Sequence, residues 1–479
     1  MFFLWKGLFK DTYDEAVNNL PNFMKSLRCC ATIALILMSG LAASPEARAD
    51  DAVALSIMPD HKDGLYSSGD TVTWTIDLAD PKADRTKVGL LDYTVKKDGD
   101  GVVTKGQIDL SNGPATVTGS RTEPGALVLN VTKPGGNGLP IGVGGGMFDW
   151  QKVRLSQPAP ADFDQFWGDK LKELAAVPVN PVLQKVDVPN AAGTDYYKVT
   201  LDNIRGTHVQ GQLARPTAGE KFPAVLILQF AGVYPLKKDE VTNRAAKGWL
   251  ALNISAHDLP IDEPEDFYKQ KKDGDLKNYV YLGSEDREQS YFLRMLLGCV
   301  RAAEYLASRP DWDGKTLIVT GTSQGGLQGF ATAALFPKAS GLMVNVPAGC
   351  DVYGPKANPA RAFGWPYWLS NWGPRDRDLN KVSTTAGYFD AAYFAERVKC
   401  PSLVSVGLID DTSRPFGVIA AFNAIQAPKE LILMTRSNHH GTGGAQGLYF
   451  VENANWLAAL QQGRPLPIAA EGFLIDPFK

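Results

Sequence analysis

The sequence predicts an α/β fold, with a mostly parallel β-sheet covered by helices, preceded by a small all-β sandwich domain. Three observations support this prediction. From about residue 158, apolar runs of strand length alternate with amphipathic helical patterns, as in parallel sheets that are buried on both faces. Residues 50–148 instead contain short alternating runs between turn sequences, as in an antiparallel sandwich. The strand-like run Leu317–Thr320 leads into a glycine-rich turn and a further helical pattern.

Length, composition and charge indicate a globular protein of more than one domain. The chain has 479 residues, of which 44% are hydrophobic and 21% charged, which is enough for two or three domains. The 49 basic and 52 acidic residues give a formal net charge of −3. Because this balance provides no global field that attracts polyanions, neither nucleic acid nor an anionic membrane surface is an expected partner.

The amino terminus has the pattern of an export signal. The segment from Met24 reads MKSLRCCATIALILMSGLAASPEARAD, with a basic start, a short apolar run and an A-x-A sequence that ends at Ala49. This order is typical of a secretory signal peptide. We therefore interpret residues 1–49 as leader and signal peptide, with translation starting at Met24, and expect a periplasmic or extracellular protein. The apolar run is short for a membrane span, so no stable membrane anchor is expected.

Removal of the leader leaves three cysteines, Cys299, Cys350 and Cys400. An odd and sparse set is not a disulfide framework. At most one bridge is expected, and buried free thiols are favoured.

Residues 50–148 are expected to form a β-sandwich accessory domain, and residues 149–479 the catalytic α/β domain. The accessory region contains runs such as TVTWTIDL and ALVLNVT between turns such as SSGD and KKDGDG. Its last part, KPGGNGLPIGVGGG at residues 133–146, is interpreted as a linker or a domain-edge loop. Few contacts are therefore expected to cross the boundary between the two domains.

The sequence LIVTGTSQGGLQGF, residues 317–330, contains the Gly-x-Ser-x-Gly pattern of a nucleophile elbow. In an elbow, a strained serine connects a strand to a helix, and the flanking residues lack side chains so that the two elements can pass closely. The alternative is a glycine-rich turn whose serine has no chemical role. Because a strand is predicted before this turn and a helix after it, the pattern favours an α/β-hydrolase fold with Ser323 as nucleophile.

The base and acid that a catalytic serine requires lie further along the chain. In α/β hydrolases the chain order is serine, acid, histidine, and of the five histidines only His439 and His440 follow Ser323. A polar surface loop or a weak metal site is the alternative role of this pair. The predicted strand PSLVSVGLI runs directly into Asp410 and Asp411. The acid is therefore one of these two aspartates.

Two backbone N–H groups are candidates for an oxyanion hole, which stabilises negative charge on a substrate oxygen. One is expected from Gln324, the residue after the nucleophile. The other is expected from Val233, where Gly232 permits a turn after the strand PAVLILQF. The His, Asp and Glu residues show no metal-ligand spacing, so neither a metal nor an organic cofactor is expected.

Five segments together indicate a family more specifically than the Gly-x-Ser-x-Gly motif does alone. They read DFDQFW, RAAEYLASRPDWDGKTLIVTGTSQGG, AALFPKASGLMVNVPAGCDV, YFDAAYFAERVKCPSLVSVGLID and PKELILMTRSNHH. This set resembles the acetyl xylan esterase and cephalosporin C deacetylase group, carbohydrate esterase family 7, over roughly residues 158–460. The resemblance implies Ser323 as nucleophile and Asp410 as acid. The family's acid-to-histidine interval implies His439 as base.

The sequence departs from that family at four places. The family's Arg-Gly-Gln motif is missing, and LNISAHDLP stands near its expected place. Ala231-Gly232-Val233 replaces a His-Gly-Tyr loop. Arg414-Pro415 replaces Pro-Pro, and His440 replaces a glutamate. The triad positions are unaffected by these departures. The substrate preference stays open, and a homo-oligomer, such as the family's ring, remains one expectation.

The resemblance implies a secreted serine carboxylesterase that removes acetyl groups from carbohydrate, so an acetylated carbohydrate or another small ester is the expected partner. Two alternatives stay open: an α/β hydrolase of another ester, lipid or peptide, and an inactive carbohydrate-binding protein. The residues 271–288 and 353–387 are expected to form loops or a cap over the sheet edge. Within the second region, Trp365 and Trp368 are expected to contact sugar rings, with packing inside the cap as the alternative.

Overall fold

The computed structural model describes residues 54–189, 191–357 and 360–476. The expected signal peptide and its cleavage site lie outside these described residues. Within the described ranges, no helix is both long and apolar enough to cross a membrane. The strands form three sheets, two of them small and one with ten strands.

Two small sheets make up the amino-terminal region. Their strands are β1 (Leu55–Pro59), β2 (Leu65–Tyr66), β3 (Thr71–Leu78), β4 (Leu90–Lys97), β5 (Gly101–Asp109), β6 (Ala115–Ser120), β7 (Gly125–Thr132) and β8 (Gly142–Phe148). The sheet orders are β1-β3-β6 and β2-β8-β7-β4-β5. In β3, Val72, Trp74 and Ile76 are buried while the residues between them are more exposed, and residues of both sheets share one hydrophobic cluster. The predicted sandwich is confirmed.

The large sheet is mixed and mostly parallel. Its strands are β9 (Val182–Lys185), β10 (Thr194–Asp202), β11 (His208–Pro216), β12 (Phe222–Leu228), β13 (Leu250–Ile254), β14 (Trp312–Thr322), β15 (Gly341–Asn345), β16 (Ser402–Gly407), β17 (Lys429–Met434) and β18 (Phe473–Asp476). Their order is β18-β17-β16-β15-β14-β12-β13-β11-β10-β9. The strands from β18 to β13 in this order run parallel, and β11, β10 and β9 add antiparallel pairs at the other edge. This arrangement confirms the predicted α/β-hydrolase sheet.

Helices cover both faces of the large sheet. They are α1 (Phe163–Ala175), α2 (Asp239–Ala245), α3 (Glu265–Asp273), α4 (Tyr291–Ser308), α5 (Gln324–Leu335), α6 (Leu379–Ala386), α7 (Ala391–Ala395), α8 (Pro415–Ala424) and α9 (Gly447–Gln461). Adjacent residues of β14, Ile318 and Val319, belong to different hydrophobic clusters. Because successive side chains of a strand point to opposite faces, each face has its own core. The clusters place α1, α4, α5 and α8 on one face, and α2 and α9 on the other.

The three cysteines after the leader are free thiols. Cys299 and Cys400 are buried, and burial raises the pKa of each thiol to about 12. Protonated thiols in these positions act as packing residues, as the sequence favoured.

The glycine-rich stretch is not a linker. Residues 133–141 form a loop between β7 and β8, and the last five residues, 142–146, belong to β8, an inner strand of the five-stranded sheet. A Cβ atom on Gly145 would lie 2.9 Å from the carbonyl oxygen of Leu408, a residue just beyond β16. Ala126 and Met147, on the same sheet, belong to the hydrophobic cluster of the α/β region. The sandwich therefore packs closely against the α/β region, and the expectation that few contacts cross the boundary is wrong.

The contact between β8 and Leu408 can be tested by adding one methyl group. We expect Gly145→Ala to lower the free energy of unfolding by about 1–3 kcal/mol, because overpacking forces the strand or the loop to shift. Gly146→Ala is the matched control on the same strand, since its Cβ would lie 3.4 Å from the Tyr66 ring, an ordinary contact distance. Urea unfolding measures both variants, and equal losses would contradict this account of the interface.

Candidate active site

Ser323 lies at the sharp turn between β14 and α5. Its backbone has φ +57° and ψ −119°, a combination that residues with a side chain rarely adopt. Its N–H donates to the carbonyl of Asn345 at 3.0 Å, and its own carbonyl accepts from the N–H of Ala348 at 2.9 Å. These hydrogen bonds tie the strained residue to the end of β15. The predicted elbow geometry is present, and it places the serine at the carboxyl edge of the parallel strands.

Close approach of backbones explains the three glycines around Ser323. A Cβ on Gly321 would lie 2.3 Å from the carbonyl oxygen of Gly325, and one on Gly325 would lie 2.4 Å from the last carbonyl oxygen of β12. A Cβ on Gly326 would lie 2.6 Å from a proline that follows β15. Helix α5 can therefore start between these strands only because all three residues lack a side chain.

The imidazole of His439 connects Ser323 to Asp410. Nε2 of His439 lies 2.9 Å from Oγ of Ser323, and Nδ1 lies 2.8 Å from Oδ2 of Asp410. Because a carboxylate only accepts, the proton belongs on Nδ1, and Nε2 is free to accept from the serine hydroxyl. Asp410 is buried, and its other oxygen accepts the N–H groups of Thr412 at 2.8 Å and Ser413 at 2.7 Å. The carboxylate is thereby held in a single orientation.

The neighbouring candidates lie outside this hydrogen-bonded set. Asp411 is exposed, and its carboxylate accepts from the Thr412 hydroxyl at 3.2 Å. His440 is also exposed, and its backbone N–H donates to the Asn438 side chain. The structure therefore brings together Ser323, Asp410 and His439, the three residues that the resemblance implied. No group of three or more His, Cys, Asp and Glu side chains in the described part of the chain could hold a metal ion.

The two expected oxyanion donors follow neighbouring strands. Register pairs the end of β12 with the end of β14, so the loop that contains Val233 begins beside the elbow. Gln324 is the first residue of α5, where backbone N–H groups have no partner within the helix. Among the described residues, neither the Gln324 N–H nor the Val233 N–H has a hydrogen-bond acceptor. Free N–H donors that follow the neighbouring strands β12 and β14 at the elbow are what a developing oxyanion requires.

A buried set of amide and hydroxyl side chains supports the loop that carries His439. Asn345 donates to Oε1 of Gln446 at 2.8 Å and accepts from the Ser405 hydroxyl at 2.6 Å. The Gln446 amide then donates to the carbonyl oxygen of His439 at 3.1 Å. Sequence reasoning missed these residues. Two polar residues in otherwise apolar strands were the available signal: Asn345 ends β15, and Ser405 lies within β16.

The structure separates the two tryptophans that were expected to contact sugar. Trp368 is only 4% exposed, its Nε1–H donates to a backbone carbonyl at 2.7 Å, and its ring packs edge-on against Phe292 at 4.9 Å. The expected sugar contact of Trp368 is therefore wrong, because packing covers the indole. Trp365 is half-buried. Its backbone N–H donates to the carbonyl of Thr412, two residues after Asp410. Trp372, in the same segment, is 69% exposed.

Comparison with known proteins gives consistent matches. A family model, Acetyl xylan esterase (AXE1), matches residues 148–459. Acetyl esterase Axe7A of Xylanibacter ruminicola is 31% identical over 392 residues, which are 80% of this chain and 86% of that protein. The solved acetyl xylan esterase from Paenibacillus sp. R4 is 25% identical with a TM-score of 0.55, over 66% of this chain and 98% of that chain. Acetyl xylan esterase 1 from Thermoanaerobacterium sp. shares the fold at 22% identity and a TM-score of 0.52, over 63% and 96% of the two chains.

The pair Asp410 and Asp411 provides a matched test of the site. We expect Asp410→Asn to lower kcat by up to ~10⁴, because an amide can donate to Nδ1 and so favours the wrong imidazole tautomer. Asp411→Asn makes the same chemical change on the exposed neighbour. Because surface substitutions outside a hydrogen-bonded site have small effects, kcat should stay within about threefold of the wild-type value. Hydrolysis of p-nitrophenyl acetate measures both. Similar losses in the two variants would contradict the assignment of the acid.

Proposed function

This chain belongs to the acetyl xylan esterase (AXE1) family, carbohydrate esterase family 7, and from that premise we propose that Ser323, His439 and Asp410 catalyse removal of acetyl groups from carbohydrate. Family membership makes the chain an acetyl esterase of the serine hydrolase type. The observation that carries the assignment of residues is the continuous hydrogen-bonded series from Oγ of Ser323 through His439 to Asp410.

The first half of the proposed reaction transfers the acetyl group to the enzyme. Oγ of Ser323 attacks the acetyl carbonyl carbon while Nε2 of His439 takes the hydroxyl proton. Asp410 stabilises the imidazolium that forms. The carbonyl oxygen becomes an oxyanion and accepts from the N–H groups of Val233 and Gln324. His439 then gives its proton to the sugar oxygen, the ester C–O bond breaks, and a free sugar hydroxyl leaves an acetyl-serine behind.

The second half uses the same groups on water. His439 removes a proton from a water molecule, whose oxygen attacks the carbonyl carbon of acetyl-Ser323. The same two N–H groups hold the second oxyanion. When it collapses, the proton on His439 returns to Oγ of Ser323, and acetic acid is released and ionises to acetate in solution.

Exposed aromatic surface in the segment 365–372 supports a carbohydrate substrate. The ring of Trp372 is exposed and lies 4.9 Å from that of Tyr367. Trp365, in the same segment, is hydrogen-bonded to the acid loop through its backbone. Exposed aromatic faces are well suited to stacking on the apolar faces of sugar rings. We assign the sugar contacts to this segment, with Trp372 in the place that the sequence suggested for Trp368.

The proposed function is tested by acetate release from acetylated xylan, acetylated xylo-oligosaccharides and p-nitrophenyl acetate. We expect Ser323→Ala and His439→Ala each to lower kcat by ~10⁴–10⁶, because members of a triad act as a unit. His440→Ala removes the adjacent exposed imidazole and serves as the matched control, with kcat within about threefold of wild type.

Two outcomes would count against the proposal. A folded Ser323→Ala variant with activity within about tenfold of wild type would remove the serine from the mechanism. Hydrolysis of long-chain p-nitrophenyl esters without acetate release from any carbohydrate would contradict the substrate class.

We also propose that the mature protein is exported, on the support of the basic, apolar and A-x-A segments that end at Ala49. Expression in a bacterial host with a secretion pathway should yield periplasmic or extracellular protein whose amino-terminal residue is Asp50, as determined by Edman sequencing. Ala49→Glu should leave uncleaved precursor, because the cleavage site requires a small residue. Active cytoplasmic protein that begins at Met1 or Met24 would contradict export.

A further inference from the structure

His257 lies behind the oxyanion loop, residues 230–233, and has no role in the acyl-transfer steps. It follows β13 in the segment LNISAHDLP and is 3% exposed. Nε2 of His257 lies 2.9 Å from the carbonyl oxygen of Gly232, and Nδ1 lies 2.7 Å from the hydroxyl of Tyr291. Because a carbonyl only accepts, Nε2 carries the proton and Nδ1 accepts from Tyr291. Burial lowers the pKa of His257 to about 4, so the ring is neutral at pH 7.

The hydrogen bond from His257 orients one peptide group. The carbonyl of Gly232 and the N–H of Val233 belong to the same planar trans peptide and point in opposite directions. With the carbonyl directed at His257, the Val233 N–H is directed to the other side of the loop, where no described residue accepts from it. Gly232 has φ +133°, a conformation that is open to glycine but rarely to other residues, so without a contact to its carbonyl this peptide group is free to rotate. The imidazole provides such a contact.

The hydrogen bonding continues behind the imidazole. Nη2 of Arg294 donates to the hydroxyl of Tyr291 at 2.8 Å and to the carbonyl of Ala256 at 2.7 Å. The donors therefore run in one direction, from Arg294 through Tyr291 and His257 to the carbonyl of Gly232. Aligned hydrogen bonds in a buried site polarise one another. Polarisation of this peptide makes the Val233 N–H a stronger donor.

Gln324, the other expected oxyanion donor, is connected to His257 through Tyr279. The ring of Tyr279 packs edge-on against His257, with ring centroids 4.8 Å apart. The Tyr279 hydroxyl donates to the side-chain oxygen of Gln324, the residue whose backbone N–H is the other oxyanion donor. His257 and Tyr279 together thus contact both sides of the oxyanion hole.

We propose that His257 is a positioning residue that aims the Val233 N–H at the oxyanion. The imidazole touches neither the substrate nor the reacting atoms, and it acts through the Gly232–Val233 peptide. The proposal rests on the proposed function of Ser323, His439 and Asp410. It assigns a role to the segment LNISAHDLP, where the sequence departs from the family.

Two substitutions at one position separate positioning from packing. His257→Leu fills similar space but cannot donate to Gly232, whereas His257→Gln retains both a donor and an acceptor. Loss of one oxyanion donor costs ~10²–10³ in kcat, so we expect His257→Leu to lower kcat on p-nitrophenyl acetate by about 10² with KM within about threefold. His257→Gln should recover kcat to within about tenfold of wild type, because its amide can replace the hydrogen bond.

A matched pair of tyrosines on α4 tests the hydrogen-bonded series independently of His257. Tyr291→Phe removes the hydroxyl that orients the imidazole, and we expect a loss of about 3–10-fold in kcat, of the order of one buried hydrogen bond. Tyr305 also accepts from an arginine guanidinium, Nη1 of Arg309 at 2.7 Å, but lies outside the site. Tyr305→Phe should therefore lower the melting temperature to a similar extent and leave kcat within about twofold.

A second readout reports the oxyanion hole directly. A small phosphonate ester that reacts with Ser323 places a phosphoryl oxygen where the oxyanion forms, so its rate of inactivation should fall in His257→Leu by the same factor as kcat. The rate in Tyr305→Phe should stay at the wild-type value. Parallel falls in kcat and in this rate, with recovery in His257→Gln, would establish the positioning role.

The outcomes distinguish this inference from the function on which it rests. Activity retained by folded Ser323→Ala would overturn the proposed function itself. With Ser323→Ala inactive, kcat of folded His257→Leu within twofold of wild type would overturn the positioning role alone, and so would equal losses in folded His257→Leu and His257→Gln. If His257→Leu does not fold, equal kcat values for Tyr291→Phe and Tyr305→Phe overturn it.

Discussion

The close passage of α5 between the ends of β12 and β15 is the constraint on which the active site depends. It leaves no room for side chains on Gly321, Gly325 and Gly326, and it holds Ser323 at φ +57°. Such a backbone costs of order 1–3 kcal/mol, which burial of the helix offsets, since the residues of α5 from Gln324 to Ala333 are buried. The strain has a functional consequence, because it places the serine Oγ and the first free N–H of the helix at the same edge of the sheet.

Three loops meet this serine, and each is held from behind by a different part of the fold. The loop that carries Asp410 rests on β8 of the sandwich through the contact of Gly145 with Leu408. The loop that carries His439 is held through Gln446, and the loop of residues 230–233 is held by His257. Catalytic groups keep their geometry only when surrounding residues fix their rotamers and backbones. The sandwich therefore helps to hold the Asp410 loop in place, although it contributes none of Ser323, Asp410 and His439.

The polar support of the site is distributed among strands that are otherwise apolar. Asn345 and Ser405 end or interrupt buried strands, and each finds a partner on a neighbouring element rather than on its own. Buried polar groups are stable only when such partners are present. The cost of placing amides and hydroxyls in this core is thus met by hydrogen bonds that also position the catalytic loops.

Hydrophobic periodicity and the glycine pattern act over a few residues, so the α/β sheet, the sandwich and the serine elbow could be predicted from the sequence. The resemblance to a family then selected Asp410 and His439. The burial of Trp368 and the close approach of the β8 glycines to Leu408 depend on elements far away in the chain, so they could not be read from local sequence patterns. The tertiary structure also decided the place of His257, whose partner is the carbonyl of Gly232. A backbone acceptor leaves no mark in the sequence, so only the folded chain reveals that contact.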